Sequence, residues 1–152
     1  MLETNCGFND TPETSGSILL AIYGPTINVD IGFDPAFKPA KNVTPVLWKK
    51  GIPALIDTGA SESCIDDILG SSLGLPIVDR GEISGVGGIH KTNIYLAQIH
   101  IPDLNFTIYG RFAGVDIRAG GQLHYALIGR NFLQNFTMIY NGKTGDVKLL
   151  SV

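Results

Sequence analysis

The chain has 152 residues, 44% of them apolar, with 19 glycines, 8 prolines and a formal net charge of -3. That length supports one proper core and would leave two domains undersized, and the glycine and proline content suits short strands joined by tight turns better than a helical bundle. The acidic balance, with Lys49-Lys50 as the sole basic doublet, argues against nucleic acid as the main partner, and no stretch approaches the length needed to span a bilayer.

Met1 to Ser17 is polar and lacks the basic start and apolar core of a signal peptide, so a cytoplasmic location is expected. Residues 1–17 are read as a flexible arm without chemistry, ahead of a single domain over 18–152. Cys6 and Cys64 are too few for a disulfide framework and are expected as reduced thiols. Ile18–Tyr23 reads as a strand broken by Gly24-Pro25, and Thr26 to Ile31 alternates as a half-buried strand does. Pro39–Thr44 reads as loop and Pro45–Trp48 as the next strand. Lys49-Lys50-Gly51 is then the turn that sends the chain into Pro53–Ile56.

That last strand, Pro53-Ala54-Leu55-Ile56, ends abruptly in Asp57-Thr58-Gly59-Ala60-Ser61. An aspartate leaving a buried strand sits between desolvation, which raises its pKa, and hydrogen bonds from nearby donors, which lower it. Thr58 offers a hydroxyl and Gly59 a turn through which backbone N–H groups can reach the carboxylate. Ser63–Leu69 reads as a short helix with Ser63 as its N-cap and Asp66 and Asp67 in its first turn, where the helix dipole favours them. Gly70 or Gly74 with Pro76 stops it.

Gly81–His90 is a glycine cluster leading into an alternating strand through Tyr95, Ala97, Ile99 and Ile101, which reads as a hairpin tip. It is not a phosphate cradle, because a strand follows the glycines where a helix N-terminus is required. Pro102-Asp103 makes a turn, Leu104 to Ile108 alternates as a strand, and Arg111–Gln122 reads as a glycine-rich loop over the cleft edge. Ala126–Ile128 then repeats the earlier logic, an apolar strand ending at Gly129 before a short helix. Met138–Tyr140 and Val147–Leu149 close the chain as a hairpin turned at Asn141-Gly142. Cys64 has no histidine in a recognisable relation to it, and His90, His100 and His124 show no metal spacing, so neither a cysteine nucleophile nor a metal site is expected.

The stretch Ala54-Leu55-Ile56-Asp57-Thr58-Gly59-Ala60-Ser61 resembles the Asp-Thr-Gly signature of the aspartic proteases, in the form typical of retropepsins and their bacterial relatives. Gly81–His90 resembles the retropepsin flap, with Val86 at its apolar tip, and Ile128-Gly129-Arg130-Asn131 resembles the second retropepsin signature. The three motifs stand in the family's order over roughly residues 18–150. The resemblance implies an all-β, retropepsin-like fold: a closed, barrel-like β-sheet domain with one or two short helices and a glycine-tipped flap.

It also implies an aspartic endopeptidase without cofactor or metal, acting on peptide or protein. One Asp-Thr-Gly per chain would then require a homodimer to supply the second Asp57. Asp57, Thr58 and Gly59 would be catalytic. Ala60, Ser61, Cys64, Ser84, Gly85, Val86, Gly87 and Ile128 would contact substrate, and Gly129, Arg130 and Asn131 would support the site. Where many viral members carry a second aspartate that pairs with the later arginine, this chain has Ser61, leaving Asp66 or Asp67 as the expected partner of Arg130. Two other readings are a catalytically silent dimer of the same fold, serving as scaffold or peptide platform, and an unrelated ligand-binding β-barrel in which Asp57 merely caps a turn.

Overall fold

The computed structural model describes residues 1–85 and 87–151. In chain order its elements are β1 (Leu2–Asn5), α1 (Gly16–Tyr23), β2 (Thr26–Gly32), β3 (Lys49–Ile56), β4 (Cys64–Asp66), α2 (Asp67–Ser72), β5 (Ile77–Gly85) and β6 (Gly88–Ile101). A 3-10 turn at Pro102–Leu104 leads to β7 (Phe106–Val115), β8 (Ala126–Ile128), α3 (Arg130–Leu133), β9 (Thr137–Asn141) and β10 (Asp146–Ser151). The larger sheet runs β2-β3-β8-β4-β7-β6-β5, and a further pairing of β2 with β6 closes six of its strands into a barrel. The smaller sheet runs β1-β10-β9. No helix among the described residues is long and apolar enough to cross a membrane.

Period-two burial fills the barrel. Ile27, Val29 and Ile31 of β2, Ala54 and Ile56 of β3, and Tyr95, Ala97, Ile99 and Ile101 of β6 are all buried. Burying each isoleucine contributes roughly 1.5–3 kcal/mol, which fixes the register, since a one-residue slip would turn the whole set to solvent. On the other face of β6, Gln98 and His100 are buried as well. The Gln98 side chain accepts from the Asp34 N–H at 2.7 Å and donates to the Asp34 carbonyl at 3.2 Å, and His100 Nδ1 lies 2.9 Å from Thr107 Oγ1. The segment after β2 therefore covers this face.

Several local expectations are corrected. Ile18–Tyr23 is helix rather than strand: the Ser15 hydroxyl accepts the Ile18 N–H at 3.2 Å, and Gly24, at φ +74°, ends the helix by donating to the Leu20 carbonyl at 2.9 Å. Pro45–Trp48 forms no strand. Pro45 and Leu47 are buried and Val46 and Trp48 exposed, but β2 already pairs with Lys49–Leu55, so the expected turn at Lys49–Gly51 is strand. Asp34 fixes the preceding loop by accepting the Ala36 and Val46 N–H groups, each at 2.9 Å.

The helix expected from Ser63 starts later. Cys64–Asp66 is strand, paired with β7 and β8, and Asp66 rather than Ser63 caps α2, accepting the Leu69 N–H at 3.1 Å. Gly74, at φ +64°, ends that helix, with its own N–H and that of Leu75 donating back to Ser71 and Gly70. Strand β7 begins at Phe106 rather than Leu104 and runs on to Val115, so it takes in the first part of the expected 111–122 loop. Among the described residues there are three short α-helices instead of one or two.

Residues 1–17 are not loosely attached. Leu2 to Asn5 pair with Ser151 to Lys148, Cys6 is fully buried, and its N–H donates to the Val147 carbonyl at 2.8 Å. Burial, with a smaller contribution from the Asp103 charge, pushes the Cys6 thiol up to about 12. Both cysteines are free thiols.

Candidate active site

Strand β3 lies between β2, antiparallel, and β8, parallel, and delivers Asp57 at its end. The alternation of β3 decides what faces the cleft. Ala54 and Ile56 point into the core, so Leu55 and Asp57 share the opposite face. Leu55 lies beside Leu127 and Ile56 beside Ile128. Asp57, Leu55 and Leu127 accordingly line one cleft of about 1030 Å³.

The aspartate loop is held from both ends. The Asp57 N–H donates to the Ile128 carbonyl at 2.9 Å, and Asp57 Oδ1 accepts the Gly59 N–H at 2.9 Å. From α3, the Arg130 and Asn131 N–H groups donate to the Ala60 and Ser61 carbonyls at 2.8 and 3.1 Å, while Arg130 Nη1 donates to the Thr58 carbonyl at 2.7 Å. Ser63, which is buried, accepts the Gly129 N–H at 3.0 Å and donates to Asn131 Oδ1 at 2.9 Å. Gly129 is required by close approach, since a Cβ there would fall 2.5 Å from the Glu62 carbonyl oxygen. Beneath this turn Phe132 packs on Phe106 and Phe136 with ring centroids 5.3 and 4.5 Å apart, contacts that each add roughly 0.5–1.5 kcal/mol and fix α3.

Arg130 does not pair with Asp66 or Asp67. Asp66 is buried, and its carboxylate accepts the N–H groups of Leu69, Ile117 and Arg118 at 3.1, 3.2 and 3.3 Å. Asp67 Oδ1 accepts the Tyr95 hydroxyl at 2.7 Å, and burial first, then this bond, pushes the tyrosine pKa up.

Of the residues expected at the site, Asp57, Gly59, Ala60, Ser61, Cys64 and Ser84 line the cleft. Thr58 is exposed on the aspartate loop and does not line the cleft. Gly85 and Gly87 belong to the β5–β6 hairpin, paired up to Gly85 opposite Gly88, and Gly87 does not line the cleft. Val86 lies outside the described residues. Ile128 is fully buried, so its assignment to the wall is corrected: Leu127, one residue earlier, faces the cleft instead. Burial pushes the Cys64 thiol up to about 11, opposed by a hydrogen bond to the Leu127 backbone and aided by the Asp57 charge. A thiol held so far up carries little thiolate and makes a poor nucleophile.

The cleft also takes in residues that motif reading passed over, among them Glu62, Glu82, Ile83, Asp116 and His124. Leu55 and Leu127 were recoverable from the parity of Asp57. Asp116 belongs to the segment 111–122 expected over the cleft edge, and it, Ile117 and Gln122 do line the cleft, though no motif singled Asp116 out; His124 lies just beyond that segment and no pattern in the sequence signalled it.

No family model and no curated protein matches this sequence. Among solved structures, the EIAV protease complexed with the inhibitor HBY-793 is 24% identical with a TM-score of 0.46, covering 72% of this chain and 85% of that one. A retropepsin-like aspartic protease from Rickettsia conorii is 15% identical and superimposes with a TM-score of 0.51, covering 97% of this chain and 89% of that one. The chain has a retropepsin-like fold. Within this all-β retropepsin-like barrel, the Asp-Thr-Gly loop and the Ile-Gly-Arg-Asn turn are adjacent because β3 and β8 pair in parallel and end together.

Proposed function

We propose that the protein is an aspartic endopeptidase whose active site forms from two Asp57 residues, one from each subunit of a homodimer. The observation that carries this reading is the placement of Asp57: it follows directly on strand β3, one carboxylate oxygen is engaged by Gly59, and it lines a cleft of about 1030 Å³. Aspartic-protease chemistry uses two carboxylates sharing one proton, since like charges about 3 Å apart cannot both ionise. Asp66 and Asp67 are committed to capping and to Tyr95, so neither is free to serve as the second carboxylate. A twin Asp57 across a two-fold axis meets the requirement.

In this mechanism the ionised member of the pair takes a proton from a shared water, and the protonated member donates a hydrogen bond to the scissile carbonyl oxygen. Thr58, whose hydroxyl makes no hydrogen bond among the described residues, braces the two loops across the axis, and Gly59 allows the substrate backbone to approach. Gly129, Arg130 and Asn131 support the loop through the bonds described above. The β5–β6 hairpin acts as a flap, with Ser84, Gly85, Val86 and Gly87 closing over peptide while Ala60, Ser61, Cys64 and Leu127 form the wall.

Replacing Asp57 by Asn removes the general base without altering volume. Peptide-library cleavage is expected to fall by on the order of 10³-fold or more, with circular dichroism and self-association unchanged. Retained turnover by the purified variant, with contaminating protease excluded, would overturn the proposal.

A further inference from the structure

The charge of the cleft is a separate property from its catalytic carboxylate. Glu62 of the aspartate loop, Glu82 of β5 and Asp116 of the loop after β7 line the same cleft as Asp57, and among the described residues no lysine or arginine does. All three carboxylates are exposed, and the ion pair found among the described residues, Arg111 with Asp79, involves none of them.

The nearby cations are directed elsewhere. Arg130 bonds the Thr58 carbonyl, and Arg118 lies 3.9 Å over the Tyr125 ring and donates to the Gln122 carbonyl. Arg80 and Lys91 line a neighbouring cavity that Asp116 also borders; Lys91 stands opposite Glu82 in the hairpin register and Arg80 Nε donates to Asn93 Oδ1 at 3.2 Å, and among the described residues neither forms an ion pair with Glu82 or Asp116. His124 adds no positive charge near neutrality, because burial pushes its pKa down. The cleft thus joins apolar walls to negative charge, carried by three separate elements, that no ion pair among the described residues neutralises.

Resting on the peptidase reading above, we propose that this cleft selects cationic peptides: extended segments with an apolar centre and lysine or arginine at flanking positions that reach Glu62, Glu82 and Asp116. A lysine or arginine side chain beside these carboxylates is attracted and an acidic side chain repelled, and because all three are exposed each contact is modest and weakened by salt. A cleft lined by one sign of charge also concentrates oppositely charged substrate.

The test uses a peptide series with one apolar centre and Lys, Gln or Glu at the flanking positions. For the wild-type protein, kcat/KM for the Lys peptide is expected to exceed that for the Glu peptide by at least about tenfold, and the ratio to narrow in high salt. In the triple variant Glu62→Gln, Glu82→Gln, Asp116→Asn the ratio should fall to within about twofold with the thermal midpoint unchanged. Equal turnover of Lys and Glu peptides by the wild type, or a ratio that survives in the triple variant, would overturn the proposal. Binding to Asp57→Asn, followed by fluorescence anisotropy, reads the same preference without chemistry and so separates this inference from the peptidase reading. Tighter binding of the Lys peptide there supports it even if no peptide is cleaved, and equal affinities or no binding overturn it.

Discussion

At the scale of single residues, what a titratable group can do here is set by what already holds it. Asp66 spends its carboxylate on three backbone N–H groups, whereas Asp57 gives one oxygen to Gly59 and keeps a face toward the cleft. His124 is the converse case, a buried ring at the cleft wall. Its Nε2 lies 2.8 Å from Thr26 Oγ1, and the same hydroxyl lies 3.0 Å from the Gly24 carbonyl oxygen. Burial pushes its pKa below 6.5, and His100 is lowered in the same way, by burial first. In the unfolded chain both rings take up a proton near 6.5 that the folded protein refuses. Their stabilisation is therefore fully present above that pH and is lost as pH falls below it. The urea midpoint is expected to fall between pH 7.5 and 5.5, above the range where ordinary carboxylates titrate, and the slope to flatten in His124→Asn and His100→Asn. An unchanged slope in both variants would count against this account.

At the scale of elements, β1 shows how a strand can be invisible in sequence and necessary in the fold. Residues 1–17 carry few apolar side chains, yet Leu2–Asn5 cover one edge of β10 and Cys6 closes over the core beside Val147 and Leu149, both fully buried. Deleting residues 1–6 should lower the thermal midpoint by about 10 °C, from roughly 1.5–3 kcal/mol for each apolar side chain uncovered and about 2–4 °C per kcal/mol in a chain of this size. A loosely attached arm would leave the midpoint where it was. What the sequence made legible follows the same logic. β3 and β8 are apolar runs stopped by glycine, and the final hairpin carries its turn residues in Asn141 and Gly145, so local chemistry and tertiary placement agree. Gly16–Tyr23 is an apolar run too short for periodicity to separate helix from strand, and the deciding information was the Ser15 cap. Pro45–Trp48 has the alternation of a strand without an open ladder to join, and Cys64–Asp66 is too short to show any period. At the site, strand parity places Ile128 in the core: Asp57 and Leu55 share a face, and the parallel register carries that face to Leu127.

At the scale of the whole molecule, the proposed chemistry is incomplete in one chain. A single protomer supplies one Asp57 to its cleft, and the neighbouring Asp66 and Asp67 are bound by the capping and tyrosine contacts that hold α2 in place. In the proposed mechanism the dyad, the brace between Thr58 hydroxyls and the roof made by the hairpins all need two copies to meet, so the proposed catalysis inherits the association equilibrium. Specific activity per chain should stay constant at high concentration and fall on dilution through the dissociation range. Below that range it should drop in proportion to chain concentration, because the active fraction then scales with the first power of what remains. The concentration at half-maximal specific activity should coincide with the midpoint of dissociation seen by analytical ultracentrifugation. Mixing excess Asp57→Asn chains with wild type should suppress activity by drawing wild-type chains into dimers with one working carboxylate. A concentration-independent specific activity from a proven monomer, or wild-type activity untouched by excess variant, would place the whole reaction within one chain and contradict the shared site.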